Sequence, residues 1–117
     1  MNKYHAKKTI VDNITFDSKK EAGRYGELRI LERAGEITDL VCQPVYVLQE
    51  GFIYRGRKIQ PITYRADFSY SEKHTVFLDK WIDVVEDVKG VQTQLFKVKA
   101  KMFKRIYPEI EFRIVED

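Results

Sequence analysis

Trp81-Ile82-Asp83-Val84-Val85-Glu86-Asp87-Val88-Lys89-Gly90 is the stretch from which the rest of the chain is read. Its β-branched content predicts a strand over residues 81–89, and Gly90 ends it. Val84, Val85 and Val88 make this strand central rather than exposed. Residues two apart share a face of a strand, so Asp87 and Lys89 project together. An acid and a lysine so placed are most often a surface ion pair. At the end of a central strand, before a glycine, they are better placed for a site.

Upstream, residues 62–70 (ITYRADFSY) alternate more cleanly than any other segment. Ile62, Tyr64, Ala66, Phe68 and Tyr70 point one way; Thr63, Arg65, Asp67 and Ser69 point the other. A water-facing strand explains Asp67 by itself, yet Asp is depleted inside strands. If the two strands are neighbours, Asp67 and Asp87 converge at one end of a sheet. Two such carboxylates repel unless a cation lies between them, and oxygen ligands of this kind suit Mg2+ or Mn2+.

Ser18-Lys19-Lys20-Glu21 is a capping box and predicts a helix from Ser18 to about Ala34, with Gly35 just past its end. Glu21 falls between Tyr25 and Leu28 on the apolar stripe and so faces the sheet. The cap alone accounts for a Glu there, and its rivals are less well placed. Glu27 lies off the stripe, and Glu32 sits at the far end of the helix.

The remaining segments complete the outline. Residues 9–16 predict a short hairpin turning at Asp12-Asn13, and residues 41–50 a strand, followed by a turn-rich stretch around Gly51 and Gly56. Residues 74–81 predict an enlarged turn. A second helix over about 93–106 places Leu95, Val98, Met102 and Ile106 on one face; Pro108 stops it, and residues 110–115 predict a last strand. The order helix, three strands, helix, strand implies an α/β fold with a mixed central sheet flanked by helices.

The 117 residues predict one domain spanning 1–117, and 44% hydrophobic content suffices for a core without staples. The net charge of +3 permits nucleic-acid binding without demanding it. Positive charge gathers at Lys3, Lys7 and Lys8, at Lys19 and Lys20, at Arg55, Arg57 and Lys58, and along Lys97, Lys99, Lys101, Lys104 and Arg105. For any one cluster alone, a solvated face is the better explanation. The single cysteine, Cys42, excludes an intrachain disulfide and fits a reducing setting. No apolar run is long enough to span a membrane, and the N-terminus lacks the apolar segment of a signal peptide, so a cytoplasmic location is expected. His5 and His74 are too few and too isolated for a histidine-based zinc site. No glycine-rich phosphate loop and no Gly-x-Ser-x-Gly elbow occurs.

The order of Glu21 on a first helix, Asp67 on a strand, Asp87-Val88-Lys89 on the next and a basic helix after it resembles the PD-(D/E)xK nuclease superfamily. FDSKKEA, YRADF, EDVKG and YPEIEF together are similar to a small phage and prophage family grouped with those nucleases. That family was long described as a domain of unknown function, and its members are described as endonucleases or Holliday-junction-resolvase-like proteins. Ala66 stands where the superfamily name has proline. The resemblance implies a restriction-endonuclease-like core and Mg2+- or Mn2+-dependent cleavage of DNA, branched DNA in particular, in phage recombination. It implies catalytic roles for Glu21, Asp67, Asp87 and Lys89, with Asp67, Asp87, the Val88 carbonyl and Glu21 holding the metal. Lys7, Lys8, Lys19, Arg65, Lys97, Lys101 and Lys104 are the expected DNA contacts. Resolving a junction needs two opposed cuts, which favours a homodimer; Tyr46, Leu48, Phe52, Ile53 and Tyr54 are more apolar surface than one short strand needs. Two other readings stay open: a repair, nicking or end-processing nuclease of the same fold, and a non-catalytic DNA-binding module.

Overall fold

The computed structural model describes residues 7–116; Lys3 and His5 lie outside them. The chain opens with a hairpin, β1 (Thr9–Val11) and β2 (Ile14–Phe16). Asp12 and Asn13 both have positive φ, as a tight two-residue hairpin turn requires. Helix α1 (Lys19–Arg33) follows, and the Ser18 hydroxyl accepts the Glu21 N–H at 3.1 Å. Gly35 lies past its end with φ of 77°.

The main sheet contains β3 (Ile37–Cys42), β8 (Phe68–Lys73), β9 (Trp81–Lys89) and β10 (Glu111–Glu116), in the order β10-β9-β8-β3. β10 runs parallel to β9, reached through α2 (Gln94–Ile106), and the other pairings are antiparallel. The sheet is therefore mixed, with a helix on each side. Along these elements the order is α1, β3, β8, β9, α2, β10.

Each face of the sheet carries its own core. Phe16, Tyr25, Leu28, Phe68, Tyr70 and Val84 pack on the α1 side. Leu48, Tyr64, Ala66, Val85, Phe96 and Phe103 pack on the α2 side. β9 is buried on both faces, because Val84 and Val85 point opposite ways and each is 1% exposed. The expected central strand is observed.

Three expectations need correction. The strand expected over residues 41–50 is the end of β3 plus β4 (Val45–Gln49), separated by Gln43, with φ of 56°, and Pro44. The start of β3 is hidden in the sequence because Asp39, with φ of 58°, lies within the register shift between Thr38 and Val41 and breaks the alternation. The strand expected over residues 62–70 is two strands, β7 (Ile62–Arg65) and β8, which part at Ala66-Asp67. Its alternation is real, but Tyr64 and Ala66 enter the α2 core while Phe68 and Tyr70 enter the α1 core.

The third correction concerns α2. Its buried face is Phe96, Ala100 and Phe103, whereas Leu95, Val98 and Ile106 are exposed. Apolar residues cover more than half of this helix, and its phenylalanines, with the most area to bury, take the core. Residues 51–61, expected only to be rich in turns, form a second small ribbon of β5 (Phe52–Tyr54) and β6 (Arg57–Ile59). Tyr46 and Leu48 pack in the α2 core; Phe52, Ile53 and Tyr54 are exposed.

Candidate functional site

β9 carries the centre of the site. Phe68 pairs with Glu86 across the β8–β9 ladder, so one step further puts Asp67 directly across from Asp87. The Asp67 N–H still donates to the Glu86 carbonyl at 3.1 Å, but the chain then turns away into β7. Where the ladder stops, the Asp67 carboxylate accepts the Val88 N–H at 2.6 Å. A side chain thus stands in for the missing strand partner and is held beside Asp87.

Asp87 is 1% exposed. Its Oδ2 accepts the hydroxyl of Tyr64, while its Oδ1 is buried with no hydrogen-bond partner. Lys89 Nζ lies 3.4 Å from that Oδ1 and 4.8 Å from the centroid of the Phe96 ring. The lysine therefore sits between a carboxylate and an aromatic face at the first turns of α2. Burial pushes the Tyr64 hydroxyl pKa up, and its bond to Asp87 adds to the effect.

Asp67 is pushed up to about 8, first by burial and then by the neighbouring Asp87 charge, against the Val88 N–H. Glu21 is 5% exposed on the stripe that also buries Ala22, Tyr25 and Leu28. Burial raises its pKa first, and the charges of Asp17 and Asp87 add to that; the Asp17 N–H and Arg65 oppose them. Glu21, Asp67, Asp87 and Lys89 therefore share one electrostatic neighbourhood. Glu27 is exposed and pairs with Arg24 at 2.8 Å, and Glu32 pairs with Arg29.

The expected DNA contacts fall into two groups, all exposed. Lys7, Lys8, Lys19 and Arg65 lie near the start of α1 or at the end of β7, where Arg65 reaches Asp17 at 3.4 Å and Lys8 reaches it at 3.9 Å. Lys97, Lys101 and Lys104 lie along α2 and border a cavity of about 240 Å³ floored by Phe96 and Phe112. Residues 74–80 join β8 to β9 at the opposite end of the ladder from Asp87; His74 Nδ1 accepts the N–H groups of Val76 and Phe77.

Three neighbours go beyond the sequence reading. Tyr64 belongs to the buried side of its strand, where a hydroxyl needs a partner. Glu86 is 0% exposed and lies on the opposite face from Asp87. Arg24 donates to it through Nε at 2.6 Å and Nη2 at 2.8 Å, and Tyr70 donates its hydroxyl to the same carboxylate. This pairing ties α1, which carries Glu21, to the strand that carries Asp87. Arg24 lies three residues beyond Glu21, and that spacing is the available signal.

Among the described residues, no group of three or more acidic, histidine or cysteine side chains is arranged as a ready metal cage. The donor set nonetheless suits a hard divalent cation. Two oxygen acids lie side by side, the buried Oδ1 of one accepts no hydrogen bond, and among the described residues Lys89 is the cation paired with them. Among the described residues, no helix is long and apolar enough to cross a membrane. Neither a curated protein nor a solved structure is significantly similar to the chain. The chain is matched over residues 1–116 by the DUF1064 family, described as proteins of unknown function, and it belongs to that family.

Proposed function

We propose that this chain is a divalent-cation-dependent DNA endonuclease with a restriction-endonuclease-like core of the PD-(D/E)xK kind. The observation that carries the reading is the Asp67–Asp87 pair where β8 and β9 adjoin, with Lys89 at 3.4 Å from the buried Asp87 Oδ1, which accepts no hydrogen bond. Asp67, Asp87, the Val88 carbonyl and Glu21 would hold Mg2+ or Mn2+. A cation bound there supplies positive charge against the anionic oxygen that develops when a phosphodiester is attacked.

The chain's own groups do the rest. Lys89 presents a cation to the phosphate and can hold an attacking water by hydrogen bond. Tyr64 fixes the Asp87 carboxylate by donating to Oδ2. Asp67 binds a proton near neutral pH when no cation is present, because burial and Asp87 disfavour its charge. Lys7, Lys8, Lys19, Arg65, Lys97, Lys101 and Lys104 contact phosphates without reading sequence. Branched DNA is the proposed substrate, cut by a homodimer that places two sites across a two-fold junction in the cytoplasm of a bacterial or phage-infected cell.

The test is incubation of the purified chain with a four-way junction, a matched duplex and single strands, with and without Mg2+. Cleavage is expected only with the cation, fastest on the junction, and is lost in Asp87→Asn and Lys89→Ala. Preference for nicked or blunt duplex instead assigns a repair or end-processing nuclease of the same fold. Full cleavage by Asp87→Asn in Mg2+ removes the catalytic assignment.

A further inference from the structure

β4 and β7, then β5 and β6, are successive segments of one antiparallel ribbon over residues 45–65. Its inner end is bonded to the site: Gln43 N–H donates to the Asp67 carbonyl at 2.8 Å, and Ala66 N–H to the Pro44 carbonyl at 3.0 Å. The ribbon pinches at Gly51, where a Cβ would meet the Ile59 carbonyl at 3.0 Å and Pro61 Cδ at 3.3 Å. A side chain there would have to push the Ile59 carbonyl or the Pro61 ring back by a few tenths of an ångström. Ten residues at about 3.3 Å each let the tip reach at most roughly 30 Å from Arg65.

Among the described residues, Ile59 alone of the outer segment is half-buried. Phe52, Tyr54 and Arg57 share one face and Ile53 and Lys58 the other, and all five are exposed. A two-stranded ribbon by itself is marginal in water, and this outer segment leaves most of its side chains to solvent. Its turn is Arg55-Gly56, with φ of 47° and 79°. Such turns favour Asn, Asp or Gly at the first position, and an arginine there holds a left-handed backbone that its Cβ disfavours. Arg55, Arg57 and Lys58 form no ion pair among the described residues, and Glu50 at the pinch is the nearest acid in sequence.

From this we infer that residues 50–61 are a DNA-gripping arm. It lies in the groove of the duplex beside the cleaved strand, with Arg55, Arg57 and Lys58 on the phosphates. The B-DNA major groove, about 12 Å wide, admits a two-stranded ribbon. A tip whose three cations make no ion pair among the described residues fits a polyanion better than it fits a second copy of a chain whose own net charge is +3. The inference rests on the nuclease reading above and names the part of the chain that holds the duplex.

The test uses Arg55→Asn alone and the triple variant Arg55→Asn, Arg57→Gln, Lys58→Gln. Duplex binding is followed by fluorescence anisotropy in Ca2+ at several salt concentrations, with thermal melts and light scattering on the free chains. Arg55→Asn is expected to melt at or above the wild-type temperature, because Asn suits the turn, and yet to bind more weakly. The triple variant is expected to bind about tenfold more weakly, with a salt slope shallower by about 0.9 for each phosphate it no longer neutralises. A merely structural residue would instead lower the melting temperature. Wild-type affinity and slope in the triple variant, with Mg2+-dependent cleavage that Asp87→Asn lacks, overturn the arm and leave the nuclease standing. A change in oligomer mass in the triple variant reassigns the arm to a second copy and overturns the inference. A wild-type chain that neither binds nor cuts DNA overturns both readings.

Discussion

Asp67 accepts the backbone N–H of Val88 at 2.6 Å, so an acid at the break between β7 and β8 closes the hydrogen-bond ladder of β9. A residue that would be decorative in a continuous strand becomes a fixed part of the sheet. The same position buries it beside Asp87, and the two effects oppose each other. The N–H favours the charged form, while burial and Asp87 disfavour it and win, raising Asp67 to about 8 from its ordinary 3.8.

That balance predicts a pH dependence of stability for the metal-free chain. Below about pH 4 folded and unfolded chains both hold the Asp67 proton, and its contribution is fully present. Between about pH 4 and 8 the unfolded chain releases the proton while the folded chain keeps it, so stability falls as pH rises. Melts in EDTA at pH 5 and pH 8 should show a larger loss for wild type than for Asp67→Asn, by roughly 3–4 kcal/mol. Parallel losses in the two chains would mean that Asp67 is not the titrating group.

The cap at Glu21 and the metal binding proposed for it are separable by mutation. Ser18→Ala removes the hydroxyl that accepts the Glu21 N–H and should cost about 1 kcal/mol in urea unfolding without changing the Mg2+ requirement. Glu21→Gln keeps a residue that serves a capping box, yet should raise the Mg2+ concentration needed for cleavage. Identical Mg2+ titrations for Glu21→Gln and wild type would reduce Glu21 to its cap.

Arg24 and Glu86 should behave as one unit. Arg24→Met leaves a fully buried carboxylate with the Tyr70 hydroxyl as its remaining partner among the described residues, and should cost about 3–5 kcal/mol. Adding Glu86→Gln removes the stranded charge and should recover much of that loss. Additive losses in a double-mutant cycle would show that the pair is not coupled.

Ca2+ in place of Mg2+ gives a readout free of cleavage. At about a hundred times its dissociation constant it should stabilise wild type by about 2.7 kcal/mol in thermal melts. Asp87→Asn should lose most of that gain while melting at or above wild type in EDTA, since one of two repelling carboxylates has gone. Equal Ca2+ shifts in both chains would place the cation elsewhere.

What the sequence discloses follows how locally each feature is encoded. The capping box at Ser18, the turn at Asp12-Asn13 and the central character of β9 depend on neighbours along the chain, and each is legible. The alternation through residues 62–70 is legible too, but it cannot say which core each buried residue enters. That depends on the divergence of the chain at Ala66-Asp67. β3 is obscured because Asp39, with its positive φ, interrupts its pattern. The face of α2 is misread from sequence because periodicity ranks stripes by spacing, whereas burial ranks them by the area of Phe96 and Phe103. Glu21, Asp67, Asp87 and Lys89 can be named from order and spacing. Tyr64, Arg24 and Glu86 cannot, because their roles come from contacts between residues 23 and 62 positions apart.

Asp87 has β10 as its other neighbour, with Ile114 directly alongside. The strand at the heart of the site is therefore an open edge until the crossover through α2 has been made and the chain has returned. This is a long-range, parallel pairing, the slowest kind to assemble. During synthesis Glu21, Asp67, Asp87 and Lys89 all emerge before the segment that seals them in. A nascent chain thus carries Glu21, Asp67, Asp87 and Lys89 before the strand that covers the free edge of β9.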